Sequence, residues 1–233
     1  MPAVTRMSAS IESKEWRQGA AVLALLAALT FGAPACGSGG SGSYFVKVGK
    51  VTLAEADAVE APEPGPVVEL GPAEDAPLPA IPAGAKVIQI AADRDQSYAR
   101  VRELVKAVQR AGARPVVLVA AKGKAMALPH TGDAVTASIL VVTERDGESA
   151  KACISPPEAV ERQCTMRDGS KHIDRAFVRE IVRHAVLGYN LQLVHVKPDE
   201  GQSWADAVRA IDGARTCCGP ATRIGVSLED LAL

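Results

Sequence analysis

Two stretches of the chain repeat apolar and polar positions with the periods of strands and helices. In the first, Val87–Ala92 is mostly apolar, as in a buried strand, and residues 101–108 place apolar side chains on one helical face, at i, i+3, i+4 and i+7. Ser97 stands where a helix N-cap is expected, and Gly112 where a left-handed C-terminal residue is expected. Pro115 then opens a strand at 116–119. The pattern predicts a strand-helix-strand unit over residues 86–121, with a right-handed crossover if the two strands share one sheet.

The second stretch, residues 137–230, follows a longer pattern. It opens with an apolar strand at 138–143, a turn at Asp146-Gly147 and a hairpin partner at 151–154, followed by a loop that contains Cys164. A helix over 174–188, capped by Asp174, is predicted to bury one side, made up of Phe177, Val178, Ile181, Val182 and Ala185. The pattern ends with a strand at 191–196, a short helix that bears Trp204, Val208 and Ile211 behind the cap Ser203, and a strand at 223–228. The predicted order is β-β-α-β-α-β.

Residues 44–85, which precede both stretches, change character part-way. Alternation over 44–53 predicts one half-buried strand. From 54 to 85 the composition shifts to Pro, Ala, Glu and Asp, which predicts a semi-extended linker with at most a short strand at Val67–Leu70.

Residues 1–35 have the layout of an export signal. Basic Arg6, Lys14 and Arg17 precede an apolar run at 19–32, and small residues follow it. As a helix this run spans roughly 20 Å, less than the roughly 30 Å of a hydrocarbon core, so cleavage is favoured over a permanent span. The segment predicts a signal peptide and an exported protein.

Cys36 follows the small residues and begins a Gly/Ser tether over 36–43, an arrangement that resembles a bacterial lipoprotein signal. The resemblance implies an acylated Cys36 and a protein held at the periplasmic face of a membrane, with the outer membrane favoured. Ala33-x-Ala35 also fits ordinary signal peptidase, and no Leu, Val or Ile stands three residues before Cys36. A secreted protein with a free N-terminal cysteine is therefore the alternative.

Charge and composition narrow the class of protein. The formal net charge is −1 with both signs interspersed, so no electrostatic footprint for nucleic acid stands out. Apolar residues make up 48% of the chain but aromatics only 3%, so cores must be built from Val, Ile, Leu and Ala. Small aliphatic cores suit helices layered on sheets, and we expect a two-layer α/β (α+β) fold.

Four cysteines lie beyond the tether, and export places them in an oxidising compartment. Cys153, Cys164, Cys217 and Cys218 are candidate disulfide residues with three possible pairings, one of which joins Cys153 to Cys164 locally. Their spacing with His172 matches no zinc-ligand pattern. We predict neither a metal nor a cofactor.

Asp93 and Asp95 end the first predicted strand, where α/β enzymes often place ligands. No nucleophile elbow or phosphate loop accompanies them, and Lys122-Gly123-Lys124 lacks the Walker spacing and is predicted to be a turn. Tyr98 and Trp204 each follow a predicted helix cap. These four residues are candidates for a binding surface, although turn capping by Asp93 and core packing of the two aromatics are favoured. The sequence predicts no enzyme.

The two stretches echo each other. Ile88-Gln89-Ile90 matches residues 191–193, and Gln96-Ser97-Tyr98 matches Gln202-Ser203-Trp204. Each match lies in a strand-helix-strand pattern with an aromatic directly after the cap. The echo predicts a duplicated element.

Residues 87–120 resemble the last strand-helix-strand of the periplasmic domain in the ExbD/TolR family of biopolymer transport proteins. The likeness rests on Ala92-Asp93 at the strand end, Tyr98 at the helix start and Ala111-Gly112 before the final strand. Residues 137–230 are similar to the whole domain in element order. The resemblance implies a module that binds peptidoglycan, an envelope motor or transport protein, or a second copy of itself.

The family's membrane proteins carry an acidic residue in an N-terminal transmembrane helix, whereas residues 19–35 contain no Asp or Glu. We therefore expect a binding or coupling accessory in biopolymer transport or envelope energy transduction, without a proton-conducting role. The alternatives are a structural lipoprotein that has no transporter partner and a thiol-disulfide protein that uses Cys217 and Cys218.

Overall fold

The computed structural model describes residues 45–129, 139–146, 149–155, 163–165, 171–189, 193–218 and 225–228. Outside these residues lie the predicted signal peptide, Cys36 and its tether, Tyr44, and the predicted turn residue Gly147. No helix in the described ranges is long and apolar enough to cross a membrane.

The first half of the described chain forms a small hairpin and a four-stranded sheet. Its elements are β1 Lys47–Val48, β2 Val51–Thr52, β3 Val67–Leu70, β4 Val87–Ala92, α1 Tyr98–Arg110, β5 Arg114–Ala121 and β6 Lys124–Ala127. The sheet order is β3-β4-β5-β6. β4 runs parallel to β5, as the crossover predicts, and also to β3, whereas β6 is antiparallel to β5.

Helix α1 follows from its sequence pattern. Ser97 is the N-cap in an extended conformation, and Gly112 adopts φ +78° just beyond the helix end. The predicted apolar face is fully buried against the sheet, at Val101, Leu104, Val105 and Val108. The predicted strand-helix-strand elements of this unit are confirmed, although the Ser97 side chain makes no capping hydrogen bond.

The single strand predicted over 44–53 is wrong. Two two-residue strands, β1 and β2, pair there as a hairpin, because Gly49 adopts φ +56° and turns the chain between them. A second hairpin, between β5 and β6, was not predicted. Lys122 and Gly123, predicted to form a turn, have φ values of +49° and +76° and connect its strands.

The second half forms a five-stranded sheet with two helices. Its elements are β7 Ile139–Asp146, β8 Ser149–Ser155, β9 Gln163–Thr165, α2 Arg175–Tyr189, β10 Leu193–Lys197, α3 Trp204–Arg215 and β11 Gly225–Leu228. The sheet order is β11-β10-β7-β8-β9, with β10 parallel to both of its neighbours. The predicted order lacks β9, because the sequence pattern predicts a loop around Cys164. In the structure Cys164 lies in β9 and pairs opposite Cys153 of β8.

The predicted face of α2 is corrected at one position. Val178, Val182, Ala185 and the neighbouring Val186 are buried, but Phe177 is 42% exposed. At about 100° per residue, the buried positions lie roughly 80–180° around the helix from Phe177, so Phe177 falls outside the buried arc.

One apolar core joins the two halves. It contains the buried faces of α1, α2 and α3 together with residues of both sheets, from Ile88 and Ile90 of β4 to Val194 and Val196 of β10. A smaller core lies on the other face of the first sheet, where Val51 and Leu53 pack on residues of β4 and β5. The fold is a mixed α+β structure in which helices pack on sheets.

Candidate functional site

The two halves meet at their strand-to-helix junctions. We call β4-α1-β5 the first repeat and β10-α3-β11 the second repeat. Ser97 and Ser203, the two helix caps, form an antiparallel bridge. The N–H of Tyr98 donates to the carbonyl of Gln202 at 2.7 Å, and the N–H of Trp204 donates to the carbonyl of Gln96 at 2.6 Å.

The two junction turns are built alike. The Asp93 Oδ1 atom accepts the N–H of Asp95 at 3.1 Å, and the Asp199 Oδ1 atom accepts the N–H of Gly201 at 2.9 Å. Gln96 and Gln202 are both fully buried. The predicted match of Gln96-Ser97-Tyr98 with Gln202-Ser203-Trp204 therefore pairs residues in equivalent positions.

The predicted match of Ile88–Ile90 with residues 191–193 is out of register by three residues. Counting back from the equivalent Asp93 and Asp199 puts Ile90 with Val196 and Ile88 with Val194, and all four side chains are buried. The sequence match depends on a Gln at the centre of each triplet, Gln89 and Gln192. Gln192 lies outside the described residues.

Three of the four candidate binding-surface residues are buried. Tyr98 is 2% exposed, Trp204 0% and Asp93 6%, because the aromatics fill the core and Asp93 is enclosed by backbone. The Asp93 carboxylate accepts N–H groups from Thr52 at 3.0 Å and from Asp95. Asp95 alone remains exposed, where its carboxylate lies 3.7 Å from the Arg94 guanidinium.

The four cysteines within the described residues are joined in two disulfides. Cys153 and Cys164 are bonded between β8 and β9, and Cys217 is bonded to its neighbour Cys218 just after α3. Cys217 is buried and Cys218 is partly buried. Among the described residues, no group of three or more His, Cys, Asp or Glu is placed to hold a metal ion.

Two fully buried carboxylates on α3 were not singled out from the sequence. Asp206 receives the N–H of Ile173 at 3.1 Å and the Arg209 guanidinium at 2.8 Å, and the His172 Nδ1 atom lies 3.4 Å away. Asp206 stands three residues after the cap Ser203, whose Oγ accepts the Asp206 N–H at 3.2 Å. A capping pattern of this kind is normally found on a solvent-facing acid, so nothing in the sequence indicates that Asp206 is buried.

Asp212 joins three segments of the chain. Its Oδ1 atom accepts the N–H groups of Asp57 and Ala58 at 2.9 and 2.7 Å, and its Oδ2 atom accepts the Arg175 guanidinium at 2.8 Å. These bonds tie two parts of the chain to α3. One is the start of α2, and the other is the segment that follows β2, residues 53–60, which we call the N-terminal segment. The sequence around Asp212 carries no motif that would have revealed this role.

The surroundings of Asp212 shift the pKa values of two arginines. Burial alone would lower the pKa of the Arg175 guanidinium, but hydrogen bonds and charge from Asp212 and Asp57 outweigh it, so the pKa is raised. Burial lowers the pKa of Arg215, in the last turn of α3, to about 10, although Glu60 and Asp212 oppose the shift. Arg175 therefore remains a permanent cation beside the buried acid.

An open cleft of about 340 Å³ lies at the start of α2, beside Arg175. It is lined by Ala54 and Glu55 of the N-terminal segment, by Arg94 at the first junction, by residues 173–176 at the start of α2, and by Ala205 and Arg209 of α3. Three arginines from three separate parts of the chain thus face one cavity. This cleft is the candidate functional site.

No protein-family model matches the chain, and neither does any curated protein. What the protein does is therefore inferred from its own residues. Neither Arg175 nor Arg209 was singled out in the sequence, because an arginine on an amphipathic helix normally indicates only a solvated face.

Proposed function

We propose that the protein is an exported, lipid-anchored envelope protein whose folded part is a non-enzymatic binding or coupling module. The observation that carries the proposal is the use of its buried carboxylates. Asp93, Asp206 and Asp212 all accept hydrogen bonds from backbone N–H groups of other segments. Acids engaged in this way hold neighbouring segments of the fold together, and none of the three lines the open cleft.

Export is supported by two independent features. The leader combines a basic start, an apolar run and small residues before Cys36, and four cysteines of the folded part are joined in disulfides. The tether of Gly and Ser after Cys36 would let an acylated N-terminus reach a membrane while the folded part stays in the periplasm.

A role in biopolymer transport or envelope energy transduction is the finer part of the proposal. Its support is the ExbD/TolR-like pattern at residues 87–120, together with a strand-helix-strand in each half whose first strand has parallel neighbours on both sides. The partner would be an envelope motor or transport protein, peptidoglycan or a second copy of the chain.

Lipidation is tested by growing cells that express the full chain with radiolabelled palmitate. The native chain should take up the label and fractionate with membranes, because acylation attaches at Cys36. The Cys36→Ser variant should stay unlabelled, and Ser41→Ala, in the same tether, should behave as the native chain. A native chain that remains unlabelled contradicts the anchor.

The partner is tested by crosslinking in cells from a photoreactive residue placed at Glu55, beside the cleft. A matched probe at Arg110, exposed at the far end of α1, is the control. A multi-span motor subunit captured from position 55 alone supports the coupling role. Capture from neither position favours the structural lipoprotein.

The adjacent pair Cys217-Cys218 keeps a second candidate open, a thiol-disulfide protein. The bond between the two neighbours places a two-electron couple at the end of α3. The variant with both cysteines changed to Ser should lose reductase or isomerase activity on a disulfide substrate if this candidate is correct. Unchanged activity, or none in the native chain, rejects it.

A further inference from the structure

The lining of the cleft carries charges of both signs. Arg94, Arg175 and Arg209 bring three cations, while Glu55 and Asp174 bring two carboxylates. A purely anionic ligand would meet the two acids, and a purely cationic ligand would meet the three arginines. The charge pattern favours a ligand that carries both signs itself.

Each of the three guanidiniums is positioned by a contact with another side chain of the protein. Arg209 Nη1 lies 2.8 Å from Asp206 and Arg175 Nη1 lies 2.8 Å from Asp212, both fully buried acids, and Arg94 lies over the Phe45 ring with 5.1 Å to its centroid. The arginine side chains are nevertheless 27%, 41% and 29% exposed for Arg94, Arg175 and Arg209. A guanidinium has several N–H donors, so donors beyond these contacts remain to bind a ligand carboxylate.

The N-terminus of α2 does not supply the anion site. Asp174 already caps it, since its Oδ1 atom accepts the N–H groups of Ala176 at 2.9 Å and Phe177 at 3.4 Å. The attraction for a carboxylate must therefore come from the arginines. Fixed side chains lose little conformational freedom on binding, which favours recognition of a small ligand.

The acidic part of the lining comes from a separate segment. Glu55 is exposed, and its backbone is held beside the first sheet by a bridge to Ala120. Its carboxylate is thus carried on a fixed backbone at the edge of the cleft, where it suits an ammonium group. Carboxylate and ammonium recognition would then come from different elements that meet only in the folded chain.

We propose that the cleft binds a small zwitterion of the amino-acid or short-peptide class, with its carboxylate at Arg94 and Arg209 and its ammonium at Glu55. A volume of about 340 Å³ is near the lower end of small-molecule pockets, which suits a ligand of one or two residues. The inference rests on the proposed binding function and names its ligand class. It does not depend on the lipid anchor.

The test titrates the full chain with three probes at constant ionic strength, by calorimetry and by backbone NMR shifts. The probes are the dipeptide Ala-Ala, its N-acetylated form, which lacks the ammonium, and its C-terminal amide, which lacks the carboxylate. Ala-Ala should bind saturably, and each blocked form should bind about tenfold more weakly, because each loses one charge-assisted contact.

Variants assign the two ends of the ligand. Glu55→Gln should weaken Ala-Ala binding about tenfold and leave binding of the N-acetylated form unchanged. Arg94→Gln should weaken Ala-Ala and leave the amide unchanged. Lys106→Gln on α1, outside the cleft lining, is the control and should bind all three probes as the native chain does.

Arg209→Gln should also weaken Ala-Ala, but it removes a partner of the buried Asp206 and can unfold the protein. Arg94→Gln and Glu55→Gln avoid this, because both residues contact solvent and neither pairs with a buried acid. Absence of saturable binding for all three probes overturns the proposal, as does equal affinity for free and blocked dipeptides. If lipidation fails while Ala-Ala binding succeeds, only the anchor is rejected.

Discussion

Ser97 and Ser203 face each other in an antiparallel bridge, although each is the cap of a different helix. Around them the chain exchanges backbone hydrogen bonds in both directions, from Tyr98 to Gln202 and from Trp204 to Gln96. Equivalent atoms of two similar segments are thereby joined as they would be across a two-fold axis. The junction behaves as an internal dimer interface between the two repeats.

Asp212 is expected to be the most sensitive polar residue where α3 meets α2 and residues 57–58. Asp212→Ala removes the acceptor for Asp57, Ala58 and Arg175 and should lower the free energy of unfolding by about 2–3 kcal/mol. Asp212→Asn keeps an oxygen for the two N–H groups and should cost only about 1 kcal/mol. Urea denaturation measures both, with the exposed Asp75→Asn as a control below about 0.5 kcal/mol. Equal losses for Ala and Asn would contradict this assignment.

Gly213 is expected not to tolerate a larger residue, because α3 crosses α2 closely there. A Cβ atom at Gly213 would lie 2.8 Å from the Arg175 carbonyl oxygen and 2.8 Å from the Val178 Cβ atom. Gly213→Ala should therefore lower the free energy of unfolding by about 1–3 kcal/mol. Gly188→Ala, in α2 with open space around it, should instead raise that free energy by about 0.5–1 kcal/mol. Thermal melts of the two variants should shift in opposite directions, and a stabilised Gly213→Ala would disprove the close contact.

Trp204 and Phe177 provide a matched pair of aromatic side chains. Trp204 is fully buried, so Trp204→Ala should destabilise the protein by about 3–5 kcal/mol. Phe177 is 42% exposed, and Phe177→Ala should cost less than about 1 kcal/mol. Chemical denaturation compares them directly. A large loss of unfolding free energy in Phe177→Ala would instead indicate that Phe177 is buried, as its helical spacing predicted.

Glu180 is expected to make the stability of α2 depend on pH. A hydrogen bond from Arg183 lowers the pKa of Glu180, with the charges of Arg183 and His184 adding to the effect. A lowered pKa in the folded state adds stability above the pKa of the unfolded chain, and this stability is lost as the pH falls through the folded value. Glu180→Gln should therefore melt slightly below the native chain at pH 7 and together with it near pH 3. A melting difference that persists at pH 3 would require another cause.

Local elements of the fold were predictable where one physical signal dominated. The spacing of Val101, Leu104, Val105 and Val108 fixed the inner face of α1, and Ser97 and Gly112 fixed its ends. Spacing failed for Phe177, because the buried side of α2 is centred on Val182 and extends to Val186, away from Phe177. The split of residues 44–53 into two strands depended on one glycine conformation, which alternation does not report.

The candidate site was less predictable, because its residues come from distant segments. Glu55, Arg94, Arg175 and Arg209 share no motif, and each by itself is an ordinary surface charge. The burial of Asp206 and Asp212 depends on how α3 is covered by the N-terminal segment and by α2. Such long-range contacts leave no periodic trace in the sequence.

The bonds from Asp57 and Ala58 to Asp212 span 155 and 154 positions of the chain. A polypeptide that emerges from a ribosome or a membrane pore with its N-terminus first cannot complete these bonds until α3 has followed. Contacts of such long range also form late in folding, since a large loop must close before they stabilise anything. The link between residues 57–58 and α3 is therefore among the last contacts to form, after nearly all of the described chain has been synthesised.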